Sequence, residues 1–221
     1  DLISTVREFE RKSSPNASKG VLRDRIWTSQ MKRSLVSIEK GSVIPLIKNK
    51  IWFIANGVIR VWSKSTYRDS LIIGFVGPNE LFGEPLTSMD SVQAVAMTNC
   101  QFLCINKDDI YNSNELLVTM NECLSKRYRQ SELMLSIIAM KTSTKKLISF
   151  LEMIALDYGK AIEGGLLIPF KLKHEEIGVA LCMTRVTVTR AISYLKSQGL
   201  IIKDSNGNFV IKNSQEVHQL I

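Results

Sequence analysis

This chain is poor in the residues that most often carry chemistry. It has two histidines and four cysteines in 221 residues. The cysteines stand at 100, 104, 123 and 182, and no two form a CxxC pair. Zinc and iron–sulfur sites need several such ligands at close spacing, so these read as reduced structural thiols, the default outside secretion. No apolar run is long enough to span a bilayer, which predicts a soluble chain away from the membrane. No secretory leader is visible, and the chain starts at Asp1 rather than methionine, as a truncated or processed product would. A Ser/His/Asp set, a GxGxxG turn and a phosphate-cradling GK[ST] loop are all missing. His174 adjoins Glu175 and Glu176 at what reads as a solvated helix start, and His218 lies in the tail. Together these absences argue against an enzyme.

What is present is ample core and positive charge. Hydrophobic residues make up 45% of the chain, and its length suits two ordinary domains or one large one. The net charge of +8 and pI of 9.4 suit a polyanionic partner. From Lys141 to Ile221 there are 11 basic and 7 acidic residues, a net +4, so the charge is shared evenly with the rest.

The pattern divides the chain into a tail (1–20), a β-rich domain (21–113), a long helix (114–140) and a C-terminal domain (141–221). A short helix is expected around Leu2–Phe9. Strand-like alternation then predicts Leu35–Ile38, Val43–Ile47, Ile51–Ile54, Val58–Trp62, Leu71–Phe75, Val92–Met97 and Gln101–Ile105, a barrel or sandwich. From Asn114 to Met140 the period becomes helical. Leu117, Met120, Leu124, Arg127, Ser131, Met134 and Ile138 step alternately by three and four, a coiled-coil seam with two polar members. Such a seam is best buried by a copy of itself in a parallel homodimer, with packing on its own β-domain as the alternative. Lys141–Thr144 reads as a hinge, Lys145–Asp157 as a helix capped by Thr142 or Ser143, and Leu166–Phe170 as a strand.

The most informative stretch is TRVTVTRAISYL, Thr184 to Leu195. Thr184 can cap a helix, and Val188, Ile192 and Leu195 form one apolar stripe. Arg185, Val186, Thr187, Thr189 and Arg190 stand elsewhere on that helix. Glu175–Leu181 makes a second short helix, separated from the first by Cys182 and Met183 alone. Two helices joined this tightly predict a helix-turn-helix whose second helix enters a DNA major groove, with an ordinary helix pair as the alternative. A guanidinium near the N-terminal end of that helix suits guanine O6 and N7. Leu200–Ile202 and Phe209–Ile211 then flank Asn206-Gly207, which predicts a hairpin wing with a type I′ turn. Lys203 is placed there to touch phosphate.

HEEIGVALCMTRVTVTRAISYLKSQGLI resembles the helix-turn-helix of the Crp/Fnr family of transcription regulators. TRVTVTR and RYRQSELMLSIIAMKTSTKKLISFLEMIALDYG are most similar to its branch of global nitrogen regulators of cyanobacteria and some plastids. The resemblance implies an α+β protein: an N-terminal cyclic-nucleotide-binding-like β-roll, a long dimerisation helix and a C-terminal winged helix-turn-helix. It implies a homodimer that binds palindromic double-stranded DNA with GTA and TAC arms. It also implies RNA polymerase as a partner, in a bacterial cytoplasm or plastid stroma. Arg185, Val186 and Arg190 would face bases or phosphates. The family has glycine where this chain has Cys182, and the N-terminal cysteine cluster of its iron–sulfur members is missing.

The resemblance also implies a small anionic effector, 2-oxoglutarate or a cyclic nucleotide. LFGEPL, with Phe82, Gly83 and Glu84, resembles the turn that binds it, and Arg127 and Glu132 match positions on the long helix that meet 2-oxoglutarate. Asp90, however, stands where an anion-pairing arginine belongs. The loop from Gly83 to Ala94 is about five residues short, and the hairpin at Ile47–Lys50 lacks its glycine. Two readings follow: a regulator with a degraded or altered effector pocket and no cofactor, or one gated by another small molecule or a haem or redox signal.

Overall fold

The computed structural model describes residues 35–63, 71–89 and 91–212. The helix expected at Leu2–Phe9, and with it Asp90 and His218, lies outside them. Eight strands build two four-stranded antiparallel sheets. β1 (Val36–Ile38), β8 (Cys100–Asn106), β3 (Lys50–Asn56) and β6 (Leu81–Gly83) form one. β2 (Val43–Ile44), β7 (Val92–Ala96), β4 (Ile59–Ser63) and β5 (Leu71–Val76) form the other. Trp52, Ile54, Ile59, Val61, Phe82 and Phe102 fill the space between them.

β3 is apolar on both faces because both are covered. Trp52 and Ile54 point into the roll, while Ile51 and Phe53 point outward onto Leu103, Ile110, Leu116 and Cys123. The outer cover is a short helix not foreseen from the sequence, α1 (Lys107–Tyr111), with the start of the long helix α2 (Asn114–Ala139). Ser113 caps α2, its hydroxyl accepting from Leu116 N–H at 3.4 Å.

The C-terminal domain comprises α3 (Ser143–Tyr158), β9 (Lys160–Ile162), β10 (Gly165–Leu167), α4 (His174–Leu181), α5 (Arg185–Ser197), β11 (Ile201–Lys203) and β12 (Phe209–Lys212). Its sheet runs β11-β12-β10-β9. The strand expected at Leu166–Phe170 is instead Gly165–Leu167, paired to β9 across a turn with Gly164 at φ +84°. Pro169 lacks an N–H and closes it. The wing turn also differs from type I′, which needs positive φ at both central residues. Gly207 has φ +79° and Asn206 does not. Asp204 sets the loop instead, its carboxylate accepting the N–H groups of Asn206 and Asn208.

The two domains share one core. Phe75 of β5 stacks on Phe170 with ring centres 5.8 Å apart, and Phe150 of α3 lies 6.3 Å away. Phe75 O accepts from Arg127 at 2.8 Å and from the Tyr158 hydroxyl at 2.9 Å. A Cβ on Gly77 would sit 2.6 Å from the Tyr158 ring, so glycine admits that ring. Glu80 is buried beside it, accepts the Gly77 N–H at 2.9 Å and pairs with Lys126. Burial and then the Glu80 charge push the Tyr158 hydroxyl well above its ordinary value. The same two causes raise the Cys123 thiol to about 12, which leaves it unreactive at neutral pH.

This docking corrects the seam. Arg127 and Met134 turn inward, against β5 and α3, and Met120 packs on the roll. Leu124, Tyr128 and Leu135 are exposed, as are Val118 and Leu133; Ile138 is partly covered, and Leu117 packs on the roll beside Met120. Both faces of α2 are apolar enough to bury, and spacing alone does not say which meets the chain's own domain.

Candidate nucleic-acid interface and effector turn

α4 and α5 meet at a tight turn. Cys182 takes left-handed backbone angles, φ 54° and ψ 45°. That conformation explains why glycine is usual there, since a side chain costs roughly 1 kcal/mol. Gly178 is required for closeness: a Cβ there would lie 2.6 Å from Met183 O. Thr184 caps α5, its hydroxyl accepting from Thr187 N–H at 3.1 Å. Val188, Ile192 and Leu195 are buried as the stripe predicts, joined by Ala191. Thr184, Arg185, Val186, Thr189 and Arg190 are exposed and Thr187 is half-buried.

The electrostatics favour an anion on that face. Arg185 lies 3.6 Å from Glu175, but both are about 70% exposed, so water screens the pair and a ligand can displace it. Lys203 on the wing lies 4.8 Å over the Phe209 ring. Desolvation and then Lys196 and Lys171 lower its pKa. His174, which the sequence left as a bare helix start, is tied to α5: its Nδ1 is 2.9 Å from Thr189 Oγ1. Its pKa falls below 6.5 through desolvation and the charges of Lys203, Arg185 and Lys196. The missed signal was spacing across the turn, fifteen residues, which no helical period reveals.

The expected effector residues lie in two places. Phe82 is buried against Phe102, ring centres 6.1 Å apart. A Cβ on Gly83 would sit 2.6 Å from Lys50 O, so the strands touch there. Glu84 is exposed and its carboxylate accepts from Asn49 N–H at 3.3 Å. Asn49, at φ 59°, takes the left-handed position expected of the missing glycine, which asparagine tolerates. Arg127 instead lines a crevice between β5, α2 and α3 that also includes Gln130, Asp157 and Tyr158; Phe82, Gly83, Glu84 and Glu132 do not line it. Gln130 Nε2 donates to Asp157 and Tyr158. Glu132 lies on the exposed side of α2. Among the described residues, no three His, Cys, Asp or Glu side chains cluster as metal ligands, and no helix is long and apolar enough to cross a membrane.

Known proteins match this architecture along most of its length. A cyclic nucleotide-binding domain matches residues 35–113 and a Crp-like helix-turn-helix domain matches residues 145–220. The global nitrogen regulator of Nostoc sp. (strain PCC 7120 / SAG 25.82 / UTEX 2576) is 28% identical over 161 residues, 69% of this chain and 72% of its own. The regulatory protein CysR of Synechococcus elongatus is 28% identical over 167 residues, 74% and 77% of the two chains. Among solved structures, FixK2 of Bradyrhizobium japonicum superposes with a TM-score of 0.69 at 19% identity, covering 85% of this chain and 96% of that one. A CRP/FNR-family transcriptional regulator of Thermus thermophilus gives 0.69 at 20% identity, covering 85% and 97%. With its β-roll, long helix and winged helix-turn-helix in that order, and with relatives that are regulators rather than enzymes, this chain belongs to the Crp/Fnr family of DNA-binding transcription regulators.

Proposed function

We propose that the protein acts as a homodimer that reads a palindromic DNA site, in nitrogen control like that named for its relatives, in a bacterial cytoplasm or plastid stroma. The observation that carries this is the exposed face of Arg185, Val186, Thr189 and Arg190 on a capped helix beside Lys203. Two such helices fit successive major grooves about 34 Å apart. Arg185 is assigned the guanine, Val186 a thymine methyl, Arg190 a base or phosphate and Lys203 a phosphate. The Leu124–Tyr128–Leu135 side of α2 supports dimerisation, because a helix of 26 residues offers about 39 Å of seam to a second copy. RNA polymerase is the expected further partner.

The effector turn is altered in this reading. Arg127 is held by Phe75 O, and Asp90 replaces the arginine that would pair with an anion. Binding of 2-oxoglutarate or cyclic AMP is expected to be weak or absent, and DNA affinity nearly independent of both. Isothermal titration with each compound, beside DNA binding with and without it, tests this. Submillimolar binding that shifts DNA affinity would replace it with an effector-gated regulator, and a haem band in the absorption spectrum with a haem sensor.

A further inference from the structure

We propose that His174 is a phosphate-contacting residue of the DNA interface that takes up a proton as DNA binds, so each subunit binds DNA together with hydrogen ion near neutral pH. This rests on the DNA-binding reading above and adds a residue and a linkage to it.

The tautomer follows from the hydrogen bonds. Thr189 Oγ1 has one proton and donates it to Arg185 O at 2.9 Å. Toward His174 Nδ1, 2.9 Å away, it is therefore an acceptor. Nδ1 carries the ring proton, and Nε2 is the atom that titrates. When Nε2 is bare it repels a phosphate oxygen; once protonated it donates to one with full charge.

The surroundings keep it bare until an anion arrives. α5 contributes Arg185 and Lys196, and β11 contributes Lys203; these charges, after desolvation, lower the pKa of His174. On its own helix, Glu175 is turned to Arg185, while Glu176 pairs with Arg60 and accepts from Lys173 N–H. β5 brings no titratable side chain. α3 carries Lys145, Lys146, Glu152, Asp157 and Tyr158, of which Asp157 and Tyr158 are turned to Gln130. His174 thus sits among three cations from two other elements, at the N-terminal end of a helix, where a phosphate is favoured. A phosphate placed there neutralises the repulsion that lowered the pKa and reverses the shift. The sign is then fixed: DNA affinity rises as pH falls, between the titration point of the free ring and that of the bound ring. The rise is at most about tenfold per pH unit for each half-site.

The chain has two histidines, so ring-proton NMR of the full protein resolves both, with His218 as the internal reference. Free His174 is expected to titrate below 6.5 and to move upward on a palindromic duplex, and calorimetry in buffers of different ionisation enthalpy should record proton uptake. His174→Gln keeps an N–H for Thr189 but does not titrate; it should lose the uptake and, at about pH 6, bind as the native protein does at about pH 8. His174→Arg should bind tightly at both. If DNA leaves the His174 titration unmoved, or His174→Gln retains the full pH dependence, the inference is overturned while DNA binding stands. If the native protein binds neither palindromic nor scrambled duplex, the functional reading itself falls.

Discussion

Replacing Lys126 by methionine removes the cation that answers a buried carboxylate at the junction of the two domains. The Glu80 side chain is 2% exposed and that of Lys126 is 31% exposed. Stripping the partner from a fully buried ion pair costs about 3–5 kcal/mol. One end of this pair reaches water, so the lower figure of roughly 2–3 kcal/mol applies. Glu80 keeps the Gly77 N–H at 2.9 Å, which limits the loss. In a protein of this size each kcal/mol moves Tm by about 2–4 °C, so a fall of roughly 4–12 °C is expected. Adding Glu80→Gln retains an acceptor for Gly77 and removes the stranded charge, so the double variant should recover most of the loss. Thermal melts by circular dichroism and urea midpoints read both. A fall below about 1 °C for Lys126→Met, or a double variant that adds the two losses, would show that water already reaches Glu80.

Cys182→Gly relieves the left-handed strain at φ 54°; against the added freedom of the unfolded chain, a net gain of about 0.5 kcal/mol is expected in the urea midpoint. In the proposed dimer, Leu124→Asp would bury like charges across the two-fold seam at a cost of several kcal/mol, and sedimentation should show monomers with tight DNA binding lost. A native protein that sediments as a monomer at micromolar concentration refutes the dimer. Asp90→Arg should restore some affinity for 2-oxoglutarate or cyclic AMP in a titration if the pocket is otherwise intact; no gain would mean the shortened loops have closed it.

The helix-turn-helix was legible because its signals are local. Thr184, Val188, Ile192 and Leu195 lie within four turns of one helix, and the structure gives each the role its spacing implies. The left-handed angle at Cys182 was legible through the family's glycine there. The wing was legible as a hairpin, but its turn was decided by the Asp204 side chain, which Asn-Gly alone does not reveal. The inner face of α2 was not legible. Phe75 and Phe170 are 95 residues apart, and no period within either segment announces their stacking. Once that contact forms, Arg127 faces Phe75 O rather than a second helix. The His174–Thr189 bond was hidden for the same reason: it joins two helices whose relative rotation the turn sets.

Whether α5 reads bases is tested by Arg185→Ala measured on one palindromic and one scrambled duplex at fixed salt. A base-reading Arg185 gives a loss of about 1–3 kcal/mol per half-site on the palindrome, a flattened preference at the guanine, and little change on the scrambled duplex. Lys203→Ala should weaken both duplexes alike and lower the salt slope. Equal weakening of the two duplexes by Arg185→Ala would contradict the assignment and reduce Arg185 to a phosphate contact.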